Sequence, residues 1–130
     1  MLLVKTSLEI SSIHGIGLFA DELIREGTIL WKFHPNIDIR LTAEQISQLC
    51  KPSREQTRKY TYRERHTGLY VLCGDDARFF NHSVEPNCID VFNNEEEDLT
   101  IARRDIQAGE ELTCDYSLFD LDLIQGKYKL

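Results

Sequence analysis

The sequence predicts a mainly β fold with short helices. Apolar alternation comes in short runs, turn signals separate those runs, and one helix start is well marked. Residues 3–10 alternate, with Val4, Thr6, Leu8 and Ile10 on one face of a half-buried strand. Ser11 to Gly17 reads as a turn-rich loop, after which Leu18, Phe19 and Ala20 resume an apolar segment. Glu26-Gly27 is a turn, and Ile29, Trp31 and Phe33 alternate after it as a second strand. Thr42 can cap a helix, with Gln45 three residues on and Leu41 and Ile46 as a hydrophobic staple. Ile46 and Leu49 are expected to face the core together, and Pro52 to limit the far end. Residues 51–65 are rich in Lys, Arg, Thr and Tyr without a clear period; they read as a surface insert with room for a second helical turn. Strands are predicted at 69–73, 88–92 and 98–102, with Asn93-Asn94 beginning the turn between the last two. Ala108-Gly109 turns the chain into a strand from Glu111 to Cys114. This is not a βαβ pattern, so a doubly wound dinucleotide fold is excluded.

The 130 residues suit one domain with one core. A composition 42% hydrophobic and 28% charged is that of a folded chain rather than a disordered one. The N-terminal apolar run is interrupted at Lys5, too early for a signal peptide, and no run approaches bilayer length. A soluble intracellular protein is the expectation. The net charge of -7 argues against free nucleic acid as main partner; it serves solubility or draws a basic protein or peptide. Part of the excess is clustered at Glu95, Glu96, Glu97 and Asp98, a candidate contact for a basic tail. Cys50, Cys73, Cys88 and Cys114 show no CxxC spacing, and the four histidines form no HExxH, so neither a disulfide framework nor a zinc ribbon is expected.

Three segments carry chemistry. Gly15-Ile16-Gly17 follows a strand, where missing side chains let backbone approach a ligand; no phosphate-loop Lys-Ser/Thr follows it. Residues 78–87, Arg-Phe-Phe-Asn-His-Ser-Val-Glu-Pro-Asn, set hydrogen-bonding side chains between two strands. Residues 110–116 read Glu-Glu-Leu-Thr-Cys-Asp-Tyr.

In this order and spacing the three segments resemble the SET-domain family of protein lysine methyltransferases, with a likeness running across residues 8–116. The resemblance implies a fold of small curved sheets around a knot-like crossing, where Asn81–Asn87 would meet Glu111–Tyr116. It implies a single domain over 1–130, a variable insert at about 35–65 that shapes the substrate groove, and a C-terminal tail at 117–130. S-adenosylmethionine would lie on one side, leaving as S-adenosylhomocysteine, and the target lysine would enter a narrow channel from the other. Gly15, Ile16, Gly17, Asn81 and His82 would form the donor pocket. Tyr116 matches the catalytic tyrosine, whose hydroxyl would orient the amine, and no dedicated side-chain base is required. Phe80, Tyr60, Tyr62, Tyr70, Phe119 and Cys114 are candidates for the channel. Arg78, Asn87 and Asp115 would stabilise the crossing, with Arg78 paired to Asp115 or Glu111.

The chain departs from the family pattern at three places. Val84 stands where many members have a zinc-binding cysteine, and the residues after Tyr116 contain no cysteine, so no metal is expected. Closure would then fall to the tail folding back as a lid, with Phe119 or Leu121 against the adenine, or to a second copy in a homodimer. Cys114 replaces an aromatic, which implies room for di- or trimethylation. A basic protein, histone or otherwise, is the implied substrate, acted on in the cytoplasm of a bacterium or in a nucleus or host nucleus. No membrane partner is expected. The rival reading is a non-catalytic interaction module that kept the architecture.

Overall fold

The computed structural model describes residues 1–92 and 98–125. Its strands are short because turns interrupt them every few residues, and they gather into four small sheets among the described residues. β1 (Thr6–Ile10) and β2 (Ile16–Ala20) form an antiparallel hairpin. Its loop is held by Ser11, whose Oγ accepts the N–H groups of Ile13 (2.9 Å) and His14 (3.2 Å). β3 (Ile29–Lys32) pairs with β9 (Asp98–Ala102), which pairs with β8 (Cys88–Phe92). β4 (Ile39–Leu41) and β5 (Thr61–Arg63) flank β6 (Tyr70–Leu72). β7 (Asn81–His82) runs parallel to β10 (Thr113–Cys114). The sheets share one apolar core built around Leu18, Leu30, Trp31, Val71, Cys88, Ile106 and Leu112. A mainly β fold with few short helices is what the sequence led us to expect.

Four local expectations are corrected. In β1, Ile10 is 89% exposed and Leu8 is exposed too, because that strand is the outer member of a two-stranded hairpin. In β3 the face does not follow a period of two: the register shifts between Ile29 and Trp31, burying Leu30 beside Trp31 and exposing Ile29. Thr42 and Gln45 do form a reciprocal capping box on α1 (Ala43–Ser47), but that helix closes after five residues, so Ile46 is buried while Leu49 is exposed. Pro52 does not end a helix. It sits in the first turn of α2 (Lys51–Tyr60), where the N–H that proline lacks would have no helical partner. The aperiodic insert is thus a ten-residue helix, and none of its residues is buried. No helix among the described residues is long and apolar enough to cross a membrane. The expected Asn93-Asn94 turn and the acidic residues Glu95, Glu96 and Glu97 lie outside the described residues.

Candidate active site

The parallel pairing of β7 with β10 brings the second and third sequence motifs into contact, and polar side chains lock them. Asn87 Nδ2 donates to the Glu111 carbonyl (2.8 Å), and its Oδ1 accepts the Thr113 N–H (2.9 Å). Ser11 donates to Glu111 (2.7 Å), and Asn81 Nδ2 donates to Glu111 Oε2 (2.8 Å) and to the His14 carbonyl (3.0 Å). This one carboxylate therefore ties all three motifs together. Gly17 explains its fit: a Cβ there would lie 2.4 Å from Glu111 Oε2. The missing side chain of Gly17 makes room for a protein carboxylate, whereas Gly15 has a left-handed φ of +48° and open space around it.

Two spaces meet at this crossing. An open cleft of about 610 Å³ is bordered by Ile13–Ile16, Phe79–His82 and Tyr116, a size within the range of small-molecule sites. Behind it lies a narrower pocket of about 60 Å³, where Trp31, Tyr62, Cys73, Asp90, Cys114 and Phe119 contribute. The walls common to both are Lys59, Tyr60, Arg78, Phe80 and Tyr116. The Tyr116 hydroxyl donates to the Phe80 carbonyl, and the Tyr116 N–H donates to His82 Nδ1 at 3.2 Å. An Nδ1 that accepts leaves the proton of a neutral imidazole on Nε2. Burial pushes the Tyr116 and Tyr62 hydroxyls well above the usual tyrosine range. The Cys88–Cys114 hydrogen bond, and burial after it, do the same for the Cys114 thiol. Burial also pushes Cys73 up to about 12, so these groups stay protonated at neutral pH.

The structure brings together Gly15, Ile16, Asn81 and His82 at the cleft, and Phe80, Tyr60 and Tyr116 between cleft and pocket. Cys114 lines the narrow pocket. Asp115 caps the short turn Tyr116–Leu118 by accepting the Ser117 N–H at 3.1 Å. Other expectations are corrected. Arg78 pairs with neither Asp115 nor Glu111: it donates to the Cys73 carbonyl (2.9 Å) and lies over the Tyr60 ring, while Glu111 is taken by Ser11 and Asn81. Tyr70 does not line the narrow pocket; its hydroxyl donates to Asp122 (2.8 Å) in a neighbouring groove. The tail does fold back, but Phe119 packs against Tyr62 and Tyr116 on the narrow-pocket side, with ring centroids 5.3 and 5.1 Å away, and does not line the cleft. Asp120 and Asp122 hold the tail there through the Arg63 N–H and guanidinium.

Sequence reasoning missed Trp31, Cys73, Asp90 and Thr100 as pocket walls. Asp90 had a signal. It is an acid in the middle of a strand, at the same parity as the fully buried Cys88. Elsewhere, His66 faces Glu64 through Nε2 (3.3 Å) and Asp98 through Nδ1 (3.4 Å), while Arg40 also holds Glu64. With a different ring nitrogen toward each carboxylate, the group forms a chain of polar contacts from Arg40 through Glu64 and His66 to Asp98.

Comparison with known proteins bears on this geometry. The SET domain family model matches residues 15–117. Histone-lysine N-methyltransferase 2D of Homo sapiens is 30% identical over 132 residues, covering 90% of this chain and 2% of that protein. Histone-lysine N-methyltransferase ATX2 of Arabidopsis thaliana is 31% identical over 117 residues, covering 86% of this chain and 11% of that protein. The chain thus spans a small part of these relatives. A crystal structure of a Plasmodium falciparum protein named as a histone methyltransferase superposes with a TM-score of 0.62 at 20% identity, covering 88% of this chain and 95% of that one, a likeness of fold. The family match takes in the β7–β10 crossing and, Ile13, His14 and Phe119 apart, the walls of both spaces, and we conclude that the chain belongs to the SET-domain family.

Proposed function

We propose that this chain transfers methyl groups from S-adenosylmethionine to the side-chain amine of a lysine in a basic protein. The observation that carries this reading is the cleft and the narrow pocket sharing Tyr60, Arg78, Phe80 and Tyr116 as walls. Two reactants can then approach one another from opposite sides without sharing an entrance. The cleft suits the donor chemically. Ile13, Ile16 and Phe79 offer apolar surface for a purine, Arg78 and Lys59 offer cations for an amino-acid carboxylate, and the open backbone at Gly15 admits close approach. When bound there, the donor would supply an electrophilic methyl on a sulfonium.

The chain's own residues would do the rest. A narrow pocket with six aromatic walls restricts water and disfavours the ammonium form of a lysine. Tyr116, kept neutral by burial, holds its hydroxyl by donating to the Phe80 carbonyl, which leaves the oxygen lone pairs to accept an amine N–H. Fixing the amine in line supplies part of the rate through prior loss of orientational freedom. The segment after Tyr116 covers the narrow-pocket side, docked there by Phe119, Asp120 and Asp122. The names of the relatives point to histone as substrate, and the net charge of -7 suits a basic tail.

The test is methyl-labelled S-adenosylmethionine with core histones and a lysate, wild type beside Tyr116→Phe. We expect label on lysine from the wild type. The variant should keep its fold and donor binding but lose at least about tenfold in turnover, as for a lost hydrogen bond at a reacting group. Near-equal turnover would remove Tyr116 from the mechanism. Donor binding without transfer to any protein would favour the non-catalytic module.

A further inference from the structure

The narrow pocket holds one carboxylate, Asp90, in the middle of β8. Its cross-strand partner Thr100, also a pocket wall, donates to Asp90 Oδ1 at 2.6 Å. The second carboxylate oxygen accepts no hydrogen bond among the described residues. Trp31, another wall, has its buried indole N–H without a partner among them. A pocket whose other walls are rings, thiols, two cations, Thr61 and Ala77 therefore carries an acceptor with spare capacity and an unmatched donor. Both are polar features that a packed core would not retain without a use.

We propose that Asp90 is a catalytic residue: its free oxygen receives the ammonium of the target lysine and takes one proton from it. This rests on the methyltransferase reading above. Free lysine titrates near 10.4, so at pH 7.5 only about one side chain in a thousand is the neutral nucleophile. In the step, the lysine N–H bond breaks and an O–H bond forms on Asp90, leaving amine and carboxylic acid. The amine lone pair then forms the bond to the donor's methyl carbon as the carbon–sulfur pair returns to sulfur. The product is a methylated ammonium, and the Asp90 proton leaves to solvent when the pocket opens. Removal from water favours the neutral amine–acid pair over the ion pair.

The other groups facing the pocket cannot take this proton. Tyr62 on β5, Cys73 after β6, Cys114 on β10 and Tyr116 beyond it are all held protonated at neutral pH. Lys59 at the end of α2 and Arg78 are cations without an acceptor. Burial instead pushes Asp90 up to about 7, against the Thr100 hydrogen bond, with Asp98 on β9 raising it further and Arg65 after β5 opposing. The carboxylate is thus ionised just above neutrality and basic enough to exchange a proton.

Two variants test this, Asp90→Asn, which keeps the shape, and Asp90→Ser. Wild type and variants are compared for transfer of labelled methyl to core histones from pH 6 to 9.5, and for donor binding. We expect wild-type kcat/KM to rise through pH 7 and level off, because the carboxylate and the lysine ammonium are then both present. The variants should fall at least tenfold at pH 8 with donor binding unchanged. Their rate should keep climbing, by about thirtyfold from pH 8 to 9.5, as free lysine itself loses its proton. A second readout needs neither donor nor substrate. The raised Asp90 costs the folded state nothing below pH 4, and the cost grows to its full size as pH rises past 7. The melting temperature of Asp90→Asn should therefore gain on the wild type between pH 5 and 8. A difference independent of pH would overturn the assignment. So would variants that match wild type in rate and profile while wild type transfers label. No transfer by wild type to any histone or lysate protein, with the melting difference as expected, would instead bring down the methyltransferase reading and the role given to Asp90 within it.

Discussion

The crossing and the segment from 35 to 65 wall the same pocket by opposite means. At the crossing, Asn81, Asn87, Glu111 and Thr113 bond to partners dozens of residues away, and buried backbone groups depend on those side chains. In the other segment, α2 has no buried residue and reaches the pocket only through Lys59 and Tyr60 at its C-terminal end, with Thr61 and Tyr62 following on β5. That segment is anchored on either side of α2, by Ile46 and the bidentate Arg40–Glu64 pair at 2.9 and 3.1 Å before and around it, and by Arg63 on Asp120 and Asp122 after it. One wall cannot change without unfolding the site. The other can change its surface freely so long as its end stays in place, which suits a wall that shapes a substrate groove.

The contrast is broken most sharply by Asn87→Ala. It leaves the Glu111 carbonyl and the buried Thr113 N–H without their partner, at about 1–3 kcal/mol each. We expect a loss of about 3 kcal/mol in urea denaturation, whereas Gln56→Ala on exposed α2 should stay within about 0.5 kcal/mol. Equal effects would mean that the crossing is not what holds the two motifs together.

Next in size is a pair of glycine variants. Gly17→Ala puts a methyl where the Glu111 carboxylate sits, so that carboxylate must leave Ser11 and Asn81. A loss of about 2 kcal/mol is expected from the weakened charge-assisted bonds, along with weaker donor binding as the His14–Ile16 backbone loses its tie to Asn81. Gly15→Ala meets no atom and should cost only about 1 kcal/mol for its left-handed backbone. If Gly15→Ala proves the costlier, the room made by Gly17 is not what ties the motifs together.

This difference also explains what was legible. The crossing could be read only through the family resemblance: each motif carries its own asparagine, glutamate or glycine locally, but nothing in their spacing says that they meet. The helix α2 could not, because a helix with no buried face shows no apolar period, and a proline in its first turn reads like a stop. The partner of Arg78 was mistaken because a backbone carbonyl, here that of Cys73, leaves no mark in the sequence. Phe119 reads equally as a channel wall or as cover for the adenine, because its apolar character says that it packs, not against what; it lines the narrow pocket. Asp90 is marked only by strand parity with Cys88, a signal that is easily hidden because an acid in a strand usually faces solvent.

The smallest effect tests the anchoring of the variable wall. Thr42 caps α1 by accepting the Gln45 N–H at 3.1 Å, while Gln45 Oε1 accepts the Thr42 N–H at 2.8 Å. Thr42→Ala removes the first bond and frees the second, at about 1 kcal/mol. The helix carries Ile46, which is buried and lines the groove beside the pocket together with Ala43 and Tyr70. If the cap acts only on α1, the loss should appear in stability and in KM for a protein substrate, while kcat and donor binding stay unchanged, because both cap bonds run between Thr42 and Gln45 although Tyr116 lines the same groove as Ala43 and Ile46. A fall in kcat of the same proportion would show that strain at α1 reaches the shared wall at Tyr60 and Tyr116, and that the two regions act as one unit.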